Sequence, residues 1–295
     1  MMKKQTTDPL PRREFLKTTS AGLAGLGLLP ALSISGQAQS SGAAARIVVP
    51  LNHNWLYNDK VLPNAASPTL DDSRFERVTI PHTNKLLPWH GFDDKAYQFI
   101  SLYRRHLKLP PSMRGKRIFV DFDGVMTAAV VSINGQRLGE YRGGYTPFSF
   151  ELTPHINWRG DNVLAVEVDS TERKDIPPFG GEIDYLTFGG IYRDVSLRVV
   201  SGTFIENVFA KPVNVLKDDR RVDVRVFLNS PGSSGVPFKV TVELRDGNQV
   251  LATTTDEIPT TGAPHYDFRL TNLRSIQLWD LDRPKLYQVH VTMQS

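Results

Sequence analysis

With 295 residues and 35 Lys and Arg against 31 Asp and Glu, the chain carries a formal charge of +4 and contains no cysteine. The missing thiols exclude disulfides, zinc-thiolate sites, a cysteine nucleophile and a lipoprotein attachment, so the fold must be held by its core. Lys3, Lys4, Arg12, Arg13 and Lys17 against Asp8 and Glu14 account for +3 of that charge; the basic residues beyond them are interspersed with acids, which argues against nucleic acid as a partner.

The N-terminus carries Arg12-Arg13-Glu14-Phe15-Leu16-Lys17 and then an apolar run rich in Gly and Ala from Ala21 to Ile34. This pattern is that of a twin-arginine export signal, with Pro11 at a position where Ser or Thr is more usual, which keeps a Sec route open. Gly36-Gln37-Ala38 offers small residues to a signal peptidase, so residues 1–38 are expected to be removed and the mature protein to be periplasmic or secreted. The 14 residues of the apolar run fall short of the roughly 20 needed to cross a bilayer, and no membrane association is expected after cleavage.

The mature chain is long enough for two domains with their own cores, and its hydrophobic pattern has the period of strands. Val195, Leu197 and Val199 alternate with polar residues; Val222, Val224, Val226 and Leu228 do the same, followed by Val240, Val242 and Leu244 and by Tyr287, Val289, Val291 and Met293. Asn134-Gly135 between Val131-Ser132-Ile133 and Leu138 reads as a two-residue hairpin turn, and Asp246-Gly247 separates two further strands. No comparable amphipathic helix follows the signal. The expected class is all-β: a sandwich over residues 46–200 and a second over 203–295, with the boundary near Ser201-Gly202 and Pro231 to Gly235 as a loop.

Five blocks give the first sandwich a more specific character. They are Ile80-Pro81-His82-Thr83-Asn84; Tyr103-Arg104-Arg105; Phe119 to Val125 followed by Ser132-Ile133-Asn134-Gly135; Gly143-Gly144-Tyr145-Thr146-Pro147-Phe148; and Phe179 to Val195, which contains Gly189-Gly190-Ile191-Tyr192-Arg193-Asp194. In this order and spacing they resemble the sugar-binding domain of family 2 glycoside hydrolases. Leu278-Trp279-Asp280 and Pro284-Lys285-Leu286-Tyr287 resemble the late part of that family's immunoglobulin-like second domain. The resemblance implies a galactose-binding-like jelly roll followed by an immunoglobulin-like sandwich, as in β-galactosidases. In the family a (β/α)8 barrel follows, and it carries the two catalytic glutamates.

Retaining hydrolysis needs two carboxyl groups about 5 Å apart, and the family's acid/base glutamate follows an asparagine. This chain has no Asn-Glu dipeptide and no strand–helix alternation that would build a barrel, so no catalytic residue is nominated and the chain alone is expected to be inactive. The pairs Asp121/Asp123 and Glu182/Asp184 put two carboxylates on one strand face, although hydrogen-bonded loop and strand groups are the expected role. His82 and His106 are expected to be structural, and the seven histidines show no metal-ligand spacing. Arg104 and Arg193 are expected to make buried ion pairs that support loops.

The resemblance assigns Asn84 and Asp184 to a sugar subsite, where an amide and a carboxylate would bind vicinal hydroxyls; as residues alone, both also suit turns. Trp89, Tyr185 and Trp55 offer faces for sugar stacking, with core packing as the alternative. No cofactor is required by this reading, and the complete enzyme has room for a sodium or magnesium ion that Asp184 would help hold. The expected partner is a carbohydrate, a β-galactoside or related glycoside. Three readings stay open: the noncatalytic part of an exported glycosidase, a free-standing carbohydrate-binding or interaction module, and a subunit that complements a separately encoded barrel chain, for which an exposed apolar surface on the second domain is expected.

Overall fold

The structure is a computed structural model that describes residues 46–88, 90–91, 93, 95–177, 179, 187–230, 232, 237–259 and 263–294. The export signal, the Glu182/Asp184 pair, Trp89, Tyr185 and most of the 231–235 loop therefore lie outside the described residues. No helix among the described residues is long and apolar enough to cross a membrane.

Ten strands build the first sandwich: β1 (Arg46–Pro50), β2 (Trp55–Asn58), β3 (Glu76–Val78), β4 (Ile100–Leu107), β5 (Arg117–Phe122), β6 (Ala128–Ile133), β7 (Gln136–Arg142), β8 (Phe148–Glu151), β9 (Asn162–Asp169) and β10 (Val195–Val200). They form a four-stranded sheet in the order β1-β10-β5-β8 and a six-stranded sheet in the order β3-β2-β4-β9-β6-β7, with antiparallel pairing throughout. The alternation along Val195, Leu197 and Val199 places those side chains in the core with Trp55, Tyr103 and Phe122. Between β6 and β7, Asn134 and Gly135 both have positive φ, 53° and 83°, as a tight turn matched to strand twist requires.

Strand β4 is buried on both faces. Tyr103 faces the inter-sheet core, while Leu102 on the opposite face packs with Ala65 and Ala165 under Val61, Leu70 and Phe75 of the connection that precedes β3. Arg104 shares that second face and is fully buried. Its Nε donates to Asp72 at 2.7 Å, and its other nitrogens donate to the carbonyls of Ala65 and Ser67. One guanidinium thus satisfies the backbone of a long connection, which is the condition for burying it. His106 completes the cluster, its Nε2 lying 2.9 Å from Asp72. Burial opposes ionisation of Asp72, but hydrogen bonds from Arg104 and His106, with their charges, outweigh it and hold the carboxyl below its ordinary range.

The second sandwich contains β11 (Phe204–Val213), β12 (Arg221–Asn229), β13 (Phe238–Asp246), β14 (Gln249–Ile258), β15 (His265–Leu270) and β16 (Gln288–Gln294). Its sheets run β11-β12-β15 and β14-β13-β16, around a core of Val222, Val224, Val226, Val240, Val242, Leu244, Phe268 and Leu270. Each valine run buries alternate residues, as the period-2 pattern requires.

The two sandwiches meet through Phe119, Val200 and Phe204, with the rings of Phe119 and Phe204 edge-on at 5.7 Å. The guanidinium groups of Arg117 and Arg198 lie over both rings. Arg117 also makes a two-pronged bond to Glu151 and donates to the side chain of Asn229 in the second sandwich. Arg198 makes a two-pronged bond to Asp121. Asp121 is thereby committed to structure. Asp123 lies beyond the end of β5, so the expected pair of carboxylates on one strand face is not formed there.

Candidate functional site

Asn84 follows a cis Ile80–Pro81 peptide and enters a cluster at one end of the first sandwich. Tyr57 from β2 and Tyr103 from β4 are neighbours across the β-ladder, with ring centroids 5.0 Å apart, and His82 packs against both. The Tyr57 hydroxyl donates to the Asn84 carbonyl at 3.1 Å, and Tyr103 Oη shares a 2.8 Å hydrogen bond with His82 Nδ1. Burial pushes the Tyr57 hydroxyl up to about 12, assisted by Asp59 and Glu76, and raises Tyr103 further still. Both phenols therefore stay protonated. Burial also lowers His82, against an opposing pull from Glu76, and favours its neutral ring.

The segment 189–191 is threaded between two others. His82 N donates to Ile191 O at 2.8 Å and Asn84 N to Gly189 O at 3.1 Å on one side; on the other, Met126 N donates to Gly190 O at 3.0 Å. Ser170 Oγ donates to Met126 O and accepts from Gly190 N, closing the layer. Gly190 has φ of +100°, and a Cβ there would fall 2.6 Å from Tyr103 Oη and 2.8 Å from His82 O. No other residue fits this conformation and this spacing.

Asn84 itself is only 7% exposed. Its Nδ2 donates to Tyr97 O at 2.8 Å, and its amide lies against Gly189, where a Cβ would approach within 2.5 Å of Oδ1. Oδ1 is buried and has no hydrogen-bond partner among the described residues. Tyr97 in turn bonds through its hydroxyl to Thr187 Oγ1. Of the residues offered to a sugar, Asn84 and Trp55 are within the described residues; Trp89, Asp184 and Tyr185 lie outside them.

Trp55 sits elsewhere from any surface subsite. It is fully buried in the inter-sheet core, with its indole N–H on Leu51 O at 2.6 Å. Arg104 makes the buried ion pair expected of it, and His106 its carboxylate contact. Arg193 does not. It is exposed, donates to Tyr145 O at 3.1 Å and lies over the Tyr192 ring, since a strand entry facing solvent offers a carbonyl and an aromatic face rather than a carboxylate. Among the described residues no group of three or more His, Asp or Glu side chains is placed to hold a metal ion.

Residues 43–200 match the family described as glycosyl hydrolases family 2, sugar binding domain, and residues 203–295 match glycosyl hydrolases family 2. The chain belongs to glycosyl hydrolase family 2. A β-galactosidase from Thermoanaerobacterium thermosulfurigenes is 40% identical over 252 residues, covering 84% of this chain and 35% of that protein. The β-galactosidase large subunit of Latilactobacillus sakei is 28% identical over 281 residues, covering 82% and 42%. Among solved structures, the β-glucuronidase of Bacteroides uniformis superposes with a TM-score of 0.75 at 29% identity, over 84% of this chain and 30% of that one. The chain spans about a third of the length of the relatives it matches, and carries the sugar-binding and immunoglobulin-like domains of the N-terminal region of larger family 2 glycosidases.

The polar layer of Tyr57, His82, Tyr97, Tyr103, Ser170 and Thr187 around Asn84 was not anticipated from the sequence. Its one visible sign was the Gly189-Gly190 pair, which marks a close approach of backbone without naming the side chains that require it.

Proposed function

We propose that this chain is the sugar-binding and immunoglobulin-like portion of an exported, β-galactosidase-like glycosidase, and that Asn84 and Asp184 bind the hydroxyls of a β-galactoside for a catalytic barrel that this sequence does not contain. The observation that supports this reading is the unpartnered, buried Oδ1 of Asn84. A buried acceptor without a donor costs about 1–3 kcal/mol, and a sugar hydroxyl would supply the donor. Because Oδ1 is buried and lies close to Gly189, weak affinity is expected of this chain alone.

Titration of the mature chain with lactose and methyl β-galactoside, followed by NMR shifts, tests the assignment. Saturable shifts that disappear in Asn84→Ala and Asp184→Asn support it. Shifts unchanged by both substitutions, or no shift with any galactoside, would sink it. Methyl β-glucuronide in the same titration distinguishes galactoside from glucuronide preference. Detection of the mature product in periplasmic or culture fractions, and its cytoplasmic retention with Arg12→Lys/Arg13→Lys, tests the export route.

A further inference from the structure

On the outer face of β11-β12-β15 the strand register sets side chains in rows. Lys211, Asp223 and Arg269 are neighbours across the three strands, and Phe209, Arg225 and Asp267 form the adjoining row. All six line one open cavity of about 480 Å3, a size within the range of small-ligand sites, about 300–1,000 Å3. One row beyond Phe209, the rings of Phe227 and His265 pack 5.7 Å apart on the same face, so an aromatic surface continues along the strands.

The charges on this face are matched only in part. Arg225 makes a two-pronged bond to Asp267, and Asp223 accepts from Arg221 and Arg269. Exposed Lys211 has no ion pair or hydrogen bond among the described residues. Arg269 engages only its Nε, at 3.2 Å from Asp223, so its terminal nitrogens have no partner among the described residues. The surplus is positive, and it lies beside the ring of Phe209, which is 59% exposed.

Paired charges on a strand face suit water alone, but neither an exposed phenyl ring nor a surplus of cations follows from that. A protein partner would call for an apolar centre with few charges, and a nucleic acid for cations uninterrupted by Asp223 and Asp267. An acidic oligosaccharide meets all three features. The apolar face of a pyranose covers a flat aromatic ring, its hydroxyls donate to fixed carboxylates and accept from fixed guanidinium groups, and its acid group pairs with unengaged cations. We propose that this face of the second sandwich is a binding site for an acidic oligosaccharide, with a sugar ring on Phe209 and its carboxylate or sulfate on Lys211 and Arg269. The site is separate from the subsite assigned to Asn84 in the first sandwich and does not rest on it.

Isothermal titration of the protein recovered from its host tests the site, with trigalacturonate, a sulfated galactotriose and neutral galactotriose as probes. Saturable binding of an acidic probe is expected, at least about tenfold tighter than that of the neutral one and weakened by added salt; which acidic probe binds distinguishes uronate from sulfate. Phe209→Leu, which keeps apolar bulk but loses the flat ring, and Lys211→Ala should each lower the affinity about tenfold, while Asn84→Ala leaves it unchanged. Both substituted residues are exposed, so the unfolding temperature should move by less than about 2 °C. Equal binding of the neutral probe, or no saturable binding of either acidic one, overturns the inference. So does a loss in Lys211→Ala without one in Phe209→Leu, which is the mark of ionic attraction only. If Asn84→Ala abolishes the binding and Phe209→Leu does not, the acidic sugar occupies the first sandwich: this site is wrong and the proposed function stands.

Discussion

All eight buried polar or charged residues among the described residues, from Asn84 through Arg104 to Thr187, belong to the first sandwich, whereas the second is packed with valine and leucine and keeps its charges outside. Both are antiparallel sandwiches of alternating strands, so the difference lies in what each must hold. The first carries long connections over its sheets, and their backbone groups must find partners away from water. Arg104 and the Asn84–Gly190 layer supply those partners and fix the shape of one end. The second also has a long connection, between β15 and β16, but is packed around a matched apolar interior.

The largest effect should come from Arg104→Met, which strands a mostly buried Asp72 with His106 as its remaining partner and frees the carbonyls of Ala65 and Ser67. A loss of about 3–5 kcal/mol in urea unfolding followed by tryptophan fluorescence is expected; a loss below about 1 kcal/mol would erase the contrast between the sandwiches. Gly190→Ala adds a Cβ against Tyr103 and His82 at a positive φ and should cost about 3 kcal/mol by the same measurement. In the second sandwich, Val226→Ala removes two methyl groups from a fully buried site and should cost about 2 kcal/mol, because no polar network is broken with it.

Acid should separate the regions by a different route. The folded pKa of His82 is depressed, so its contribution is complete above the unfolded value and declines as pH falls below about 6.5. Asp72 is depressed as well, and Glu151 is held down by hydrogen bonds from Arg117, against burial; their stabilisation is present above about pH 4 and is lost as pH falls below it. Circular dichroism along an acid series should therefore show the first sandwich weakening before the second. The smallest effect is expected from Arg225→Ala, whose partner Asp267 is solvated: no measurable change in the urea midpoint, since exposed pairs of this kind contribute little. A clear shift there would mean that the outer face is not simply wet.

Much of the framework was legible from local pattern. Alternation located the valine strands, and Asn134-Gly135 located a hairpin, because both signals are written within a few residues of one another. The Arg104 cluster was legible only in part: a buried ion pair was expected, but its partner Asp72 lies 32 residues upstream in a connection without periodicity. The inward turn of Asn84 was hidden for the same reason, since it depends on Tyr97 and Gly189, which meet it only after the sheets have paired. Arg193 shows the opposite failure. Its setting in a family-typical block suggested an ion pair, but its place at a solvent-facing strand entry gave it a carbonyl and a ring.

Arg117 touches Phe119, Glu151, Phe204 and Asn229 at once, so one side chain draws on both sandwiches. A designer who exchanges the second sandwich for that of a relative must bring along counterparts of Phe204 and Asn229, or leave a charged group facing a surface that no longer recognises it. For recombination, natural or engineered, the exchangeable module is the pair of sandwiches.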